Sequence, residues 1–238
     1  MPSPVMAEPV HIVLQARMNS ARLPGKALMP VAGHPSAVLA AQRAARAGDP
    51  LTVATSDDPS CDVLAAAMRA AGIPLFRGSE QDVLGRFIAA TRILPDDALV
   101  VRLTADNIFP DSDFVRLLVA ALQAKDVDII GTPSAKGLPY GLSGEAFRLK
   151  ALRQAAETDV PYDREHVTPW LYRNARSAPF NSLDGEMDLA HLRCTLDMAD
   201  DYRTLTQVFD GVRDPVGIGW RELVARLAAL SDVPQVLA

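Results

Sequence analysis

Short apolar runs of four to six residues, several of them β-branched, recur along the chain with helix-favouring stretches between them. The first, Val10 to Leu14, reads as a buried strand. After a polar loop and Pro35, the Ala-rich stretch from Ser36 to Ala47 favours helix. Leu51-Thr-Val-Ala-Thr55 reads as a second strand ending at Ser56-Asp-Asp-Pro59, where Asp58 or Ser60 can cap a helix from Cys61 to Ala71 that stops at Gly72. Ile73 to Phe76 is a third strand. Ser79 is the expected N-cap of the next helix, which carries Gln81 or Asp82 in its first turn and runs to about Leu94. Ala98 to Leu103, the helix from Asp111 to Ala124 and Val127 to Ile130 continue the alternation.

Beyond Gly131 the texture changes. Pro133, Gly137, Pro139, Gly141 and Gly144 mark a long loop or hairpin that can close over a second substrate. Leu149 to Thr158 is helical, and the segment at Arg164, Glu165 and His166 reads as the opening of a further helix. Ala178 to Leu183 and Leu189 to Leu196 read as two late strands, an antiparallel pair. Asp200 and Asp201 suit the first turn of the helix that follows, and Trp220 to Leu230 is the last. This pattern predicts an α/β, Rossmann-like fold: a mixed, mostly parallel sheet flanked by helices, with a small late β-hairpin lobe. Residues 1–9 are expected to be a flexible N-terminus and 10–238 a single domain, with an insertion at about 132–190.

Composition narrows the function. The 238 residues are 49% hydrophobic, enough for a substantial core, and the net charge of −5 without a basic tract argues against broad nucleic-acid binding. No apolar run approaches a membrane span, and residues 1–9 lack a signal-peptide pattern. Cys61 and Cys194 have no metal-ligand spacing, so a reducing cytoplasm is the expected location.

Against this acidic background one stretch stands out. Leu14-Gln-Ala-Arg-Met-Asn-Ser-Ala-Arg-Leu-Pro-Gly-Lys26 follows the first strand and carries Arg17, Arg22 and Lys26 with no acidic side chain. With Ser20 and Gly25 it forms a cationic strand-to-helix loop, suited either to solvent or to a polyanion such as a nucleoside triphosphate. It contains neither phosphate-loop nor dinucleotide fingerprint. Ligands of parallel sheets lie beyond the carboxyl ends of strands, so Asp106, directly after the fourth strand, is expected on the same edge. A lone Asp there can cap a turn or hold a magnesium ion that bridges phosphate oxygens.

The loop resembles the signature Gln-Ala-Arg-Met-Gly-Ser-Thr-Arg-Leu-Pro-Gly-Lys of cytidylyltransferases, the sugar nucleotidyltransferases that activate acylneuraminate and 3-deoxy-manno-octulosonate, and is most similar to the spore-coat polysaccharide biosynthesis protein F group. Asn19 and Ala21 replace Gly and Thr. Three further segments carry the resemblance: Arg77 to Arg86, Arg102 to Pro110, and Asp163 to Pro169. A fourth, Arg193-Cys-Thr-Leu-Asp197, is similar to the family's Arg-x-Thr-x-Asp ending, with Met198 and Ala199 in place of Thr and Pro. Tyr140-Gly-Leu-Ser-Gly-Glu145 departs most, with Ser143 where many relatives have Asp.

The resemblance implies the fold of the nucleotide-diphospho-sugar transferases and transfer of CMP from CTP to an acidic sugar or related acceptor. Arg17, Lys26 and Asp106 would be catalytic. Ala16, Arg17, Ser20, Arg22, Lys26, Arg77, Ser79 and Asp82 would bind nucleotide, and Asp106 with Asp197 would hold Mg2+. The insertion at about 132–190 would serve the acceptor or a dimer: Tyr140, Glu145, Arg164 and His166 are candidates for acceptor binding, the last two also for the interface of an expected homodimer. Two alternatives stay open, a glycosyltransferase using a nucleotide sugar and a non-catalytic nucleotide-binding protein. The first would want an Asp-x-Asp motif, which Asp106-Asn-Ile108 does not supply.

Overall fold

The computed structural model describes residues 8–132, 137–180 and 188–231. Its strands are β1 (Val10–Gln15), β2 (Pro30–Val31), β3 (His34–Pro35), β4 (Leu51–Ser56), β5 (Leu75–Gly78), β6 (Leu99–Thr104), β7 (Ile129–Gly131), β8 (Glu145–Arg148) and β9 (Ser177–Pro179). The helices are α1 (Ser36–Ala44), α2 (Asp62–Ala70), α3 (Val83–Ala90), α4 (Ser112–Ala124), α5 (Leu149–Gln154), α6 (Pro161–His166), α7 (Pro169–Asn174), α8 (Ala199–Val208) and α9 (Trp220–Ser231).

Seven strands form one sheet in the order β5-β4-β1-β6-β8-β7-β9. Pairing is parallel except where β8 meets β6 and β7, so among the described strands β8 runs against the rest. Alternation along the strands sends side chains to two cores. Ile12 and Leu14 of β1, with Leu99, Val101 and Leu103 of β6, pack on the face covered by α1, α4, α8 and α9. Val13 and Val100 point the other way, toward Phe87 of α3 and Leu152 of α5. Strands buried on both faces read as unbroken apolar runs, which is why β1, β4 and β6 were visible in the sequence.

The chain moves outward from β1 to β4 and β5, then returns to place β6 on the other side of β1. A crevice opens where this direction reverses, and loops leaving β1 and β6 form its walls. Both loops are pinned to the sheet end: Ala16 donates its amide to Ala54 (3.2 Å) and Ala105 donates to Gln15 (2.9 Å).

Several elements differ from the sequence reading. The small antiparallel pair is early, β2 with β3 around Ala32 and Gly33, both at positive φ. No late hairpin is found among the described residues: β9 pairs in parallel with β7, and 192–196 makes only isolated bridges, Tyr140 to Arg193 and Asn107 to Thr195. The expected strand end at 181–183 lies outside the described residues, as do 133–136 of the glycine-rich loop. So do residues 1–7 of the expected flexible N-terminus, whereas Pro9 is tied down, its carbonyl accepting from Leu99 (2.8 Å). Asp82, not Ser79, is the N-cap of α3, accepting from Gly85 (2.9 Å), while Ser79 Oγ accepts from the amide of Asp82 (3.0 Å). Arg164 to His166 close α6 instead of opening a helix, because Pro161 starts it. No helix among the described residues is long and apolar enough to cross a membrane.

Candidate active site

The loop after β1 is shaped by its own backbone. Gly25 sits at φ 74, a left-handed turn that favours glycine, and delivers Lys26 into a short 3-10 turn. Ser36 at the start of α1 then donates its hydroxyl to the Lys26 carbonyl (2.6 Å), fixing the residue from below. From this base Lys26 Nζ donates to Asp106 Oδ2 (2.8 Å) and to Asp197 Oδ1 (2.6 Å). Arg22 closes the cluster on the other oxygen, its Nη2 donating to Asp197 Oδ2 (2.8 Å).

Two carboxylates and two closely bonded cations therefore share one corner of the crevice, with Arg193 3.7 Å from Asp197 as a third and the Asp197 side chain only 7% exposed. Such a cluster is a poor means of holding a fold together, because desolvating the charges cancels most of their attraction. Arg17, three residues upstream of Ser20, is exposed and makes no ion pair among the described residues.

Two cavities meet at this cluster. The smaller, about 300 Å³, is walled by the Gln15–Lys26 loop, including Ala16, Arg17 and Ser20. The larger, about 630 Å³, runs over β6 and β8 and is lined by Arg102, Asn107, Tyr140, Ser143, Glu145 and Thr195 among others. Arg22, Thr104, Asp106 and Asp197 line both. The carboxylate pair thus stands on the partition between two chambers.

Asp197 is oriented from behind. Its amide and that of Met198 both donate to Asp201 Oδ2 (2.8 Å each), and Arg193 donates to both Asp201 oxygens (2.6 and 3.0 Å). Burial alone would raise the Asp201 carboxyl, but Arg193 and the two amides outweigh it and hold it below the usual carboxylate range. Arg43, fully buried on α1, braces the Asp106 loop. It donates to the carbonyls of Ile108 (2.9 Å) and Phe109 (3.0 Å) and to those of Pro215 (2.7 Å) and Ile218 (2.8 Å) in the segment before α9. Burial pulls its pKa down to about 10.

The remaining candidates divide. Tyr140 is 59% exposed at the rim of the larger cavity. Glu145 lies deeper, accepting from Arg102 (2.7 Å), the Thr168 hydroxyl (2.9 Å) and the Tyr172 hydroxyl (3.0 Å). Burial, with the Glu145 charge beside it, drives the Tyr172 hydroxyl far above its ordinary pKa. Arg164 pairs with Asp82 beside a third cavity of about 450 Å³ that Arg17 also lines. His166 lines none of the three cavities; its exposed ring lies 4.3 Å from that of Tyr162.

Arg77 and Ser79 also line none of these three cavities. Arg77 donates to Asp62 (2.6 Å) and to the carbonyls of Ser56 (3.1 Å) and Asp58 (3.0 Å), which staples the loop after β4. Asn107, joined to Ser143 by a 2.8 Å hydrogen bond, and Arg102 were not named as site residues from the sequence; Ser143 was noted only as a departure from relatives and Asp201 only for the first turn of its helix. Their only signal was adjacency to Asp106, Glu145 and Asp197.

Residues 11–210 match the family model described as Cytidylyltransferase. The chain belongs to the cytidylyltransferase family. This cytidylyltransferase is 28% identical over 232 residues to the spore coat polysaccharide biosynthesis protein SpsF of Bacillus subtilis, covering 92% of this chain and 93% of that one. Among solved structures, a cytidylyltransferase from Leptospira borgpetersenii superposes with a TM-score of 0.85 at 24% identity, covering 97% of this chain and 98% of that one. CMP:2-keto-3-deoxy-manno-octonic acid synthetase complexed with CTP gives a TM-score of 0.59 at 16% identity, over 83% and 96% of the two chains. At these identities the superpositions speak for the fold: a mostly parallel, helix-flanked sheet of nucleotidyltransferase type.

Proposed function

We propose that this enzyme transfers CMP from CTP to an acidic sugar or related small acceptor, releasing pyrophosphate, in the making of surface polysaccharide or glycoconjugate precursors. One observation carries the reading: Lys26 bridging Asp106 and Asp197 where two cavities meet. The donor triphosphate occupies the smaller chamber, over the cationic loop, and the acceptor the larger. The name of the SpsF relative and the CTP held by the octonic acid synthetase support the choice of nucleotide and pathway class.

An acceptor oxygen forms a bond to the α-phosphorus while the bond from that phosphorus to the β-phosphate bridge oxygen breaks. Arg17, Arg22 and Lys26 gather the charge that accumulates on the departing pyrophosphate. Asp106 and Asp197 offer hard oxygen donors on one side of a space open to phosphate, which fits Mg2+, an ion that takes one or two carboxylates and completes its shell from phosphates and water. When bound, the ion would neutralise charge on the reacting phosphate. Glu145 already accepts from Arg102, Thr168 and Tyr172, so its oxygens are committed to the protein, and an acceptor whose attacking oxygen is already anionic or readily ionised suits the site. The same reading includes a cytoplasmic homodimer, with the exposed Tyr162 and His166 rings on α6 as a candidate contact.

The test is a pyrophosphate-release screen of the four ribonucleoside triphosphates against nonulosonic acids, octulosonic acid, sugar phosphates and aminoalkylphosphonates, with and without Mg2+. Release with CTP and an acidic acceptor is expected. Turnover with a different triphosphate, or none with any, would overturn the donor assignment.

A further inference from the structure

Asp200 and Asp201 are adjacent in the first turn of α8, where any acidic side chain favours the helix. Their surroundings differ. Asp200 is exposed and pairs with Arg203 on its own helix, whereas the Asp201 side chain is 7% exposed and turned back toward the crevice. A helix-capping role accounts for the bond from the Met198 amide to Asp201 Oδ2. It does not account for the second amide on the same oxygen, that of Asp197, nor for Arg193 lying across both Asp201 oxygens.

We propose that Arg193 and Asp201 form a positioning pair that fixes the backbone, and hence the carboxylate, of Asp197 for a divalent cation. The inference rests on the reading of Asp106 and Asp197 as cation ligands. Arg193 has two further contacts: its Nη2 lies 3.7 Å from Asp197 Oδ2 itself, and its guanidinium carbon lies 4.8 Å from the centroid of the Tyr140 ring at the rim of the larger cavity. The backbone repeats the link, Cys194 donating to the Tyr140 carbonyl (2.8 Å) and Tyr140 to that of Leu192 (2.8 Å). The pair is therefore the side-chain connection between the acceptor rim and Asp197.

Mn2+ serves as the probe, its affinity measured by electron paramagnetic resonance in the presence of CTP. Asp201→Asn keeps an oxygen for the amides and so spares the cap, but loses the charge that holds Arg193. Partners of this kind tune metal affinity by about 10- to 100-fold. Asp201→Asn and Arg193→Met should each weaken Mn2+ by about tenfold or more, and the double variant should be little worse than either. Asp200→Asn, which removes the same charge from the same turn, should leave the affinity unchanged. Asp201→Asn with wild-type Mn2+ affinity and merely a lower Tm would reduce the pair to a structural cap and overturn the inference alone. Asp200→Asn weakening Mn2+ equally would also overturn it. Failure of the unaltered enzyme to bind Mn2+ with CTP would take down the parent reading as well.

Discussion

The amide of Leu196 donates to the carbonyl of Asp106 across 2.8 Å, which joins the two segments that carry the carboxylate pair. Asn107 and Thr195 continue the contact as an isolated antiparallel bridge. Each carboxylate is thus placed by main chain before its side chain is considered, the kind of preorganisation that electrostatic catalysis depends on.

Gly141 is the weak point of that arrangement. It sits at φ +102, and a Cβ there would lie 2.5 Å from the Thr195 amide nitrogen and 2.8 Å from the Cys194 carbonyl carbon. Both obstacles are backbone, so they cannot swing aside. Gly141→Ala should destabilise the protein by more than about 1 kcal/mol in urea titration. It should also lower kcat more than it raises KM for CTP, because it shifts Asp197 without touching the triphosphate loop. Unchanged stability and turnover would show that the 192–197 segment is free to move.

Lys26→Met separates two roles of the ammonium. Turnover should fall by about two powers of ten or more. Without nucleotide, however, Asp106 would lose its cation and Asp197 would keep only Arg22 and the more distant Arg193, so the pair would welcome a divalent cation in place of the ammonium. The rise in Tm on adding Mn2+ should therefore be larger in Lys26→Met than in the parent enzyme. A smaller or equal rise in a scanning fluorimetry titration would mean that Asp106 and Asp197 do not converge on one ion.

What could be read from the sequence followed burial. Strands covered on both faces, such as Val10–Gln15 and Leu99–Thr104, are continuous apolar runs, and N-caps such as Asp58 and Asp111 sit where short polar side chains precede helices. β8 was hidden because both of its ends are charged: Glu145 is neutralised by Arg102, and Arg148 by Glu8, partners remote in sequence. The partners of Arg77, Asp62 and two carbonyls, were not legible, because a cation at a strand end reads the same in sequence whatever it meets. Asp106 and Asp197 were recognised through their motifs, but their meeting on Lys26 is a long-range fact that no local pattern encodes.

Arg43→Met tests how the Asp106 loop is braced. Four carbonyls would lose their donor at once, and unpaired buried acceptors cost about 1–3 kcal/mol each. A loss of stability above about 3 kcal/mol is expected in chemical denaturation. Arg43→Lys should recover little of it, since a single ammonium cannot reproduce the planar fork that reaches both the 108–109 and the 215–218 segments. Full recovery by lysine would show that charge, not geometry, is what the site needs.

His11, half-buried on β1 with its Nε2 3.0 Å from the Thr52 hydroxyl, has a pKa lowered by burial from the usual 6.5. Below that value the unfolded chain takes up a proton that the folded chain refuses, so stability falls as pH drops, until the lowered folded value is passed. The urea midpoint should decline more steeply between about pH 7 and pH 5 in the parent protein than in His11→Val. Parallel slopes would mean that His11 titrates normally in the fold.

Asp197 lies 171 residues beyond the lysine it meets, and every described strand precedes it, β9 ending at Pro179. During translation the nascent chain can therefore assemble its whole sheet, with the cationic loop already formed, while the second carboxylate is still inside the ribosome. The sheet and the cationic loop can thus be in place before Asp197 reaches Lys26, and the corner where the two cavities meet closes only when the 192–197 segment docks on Asp106.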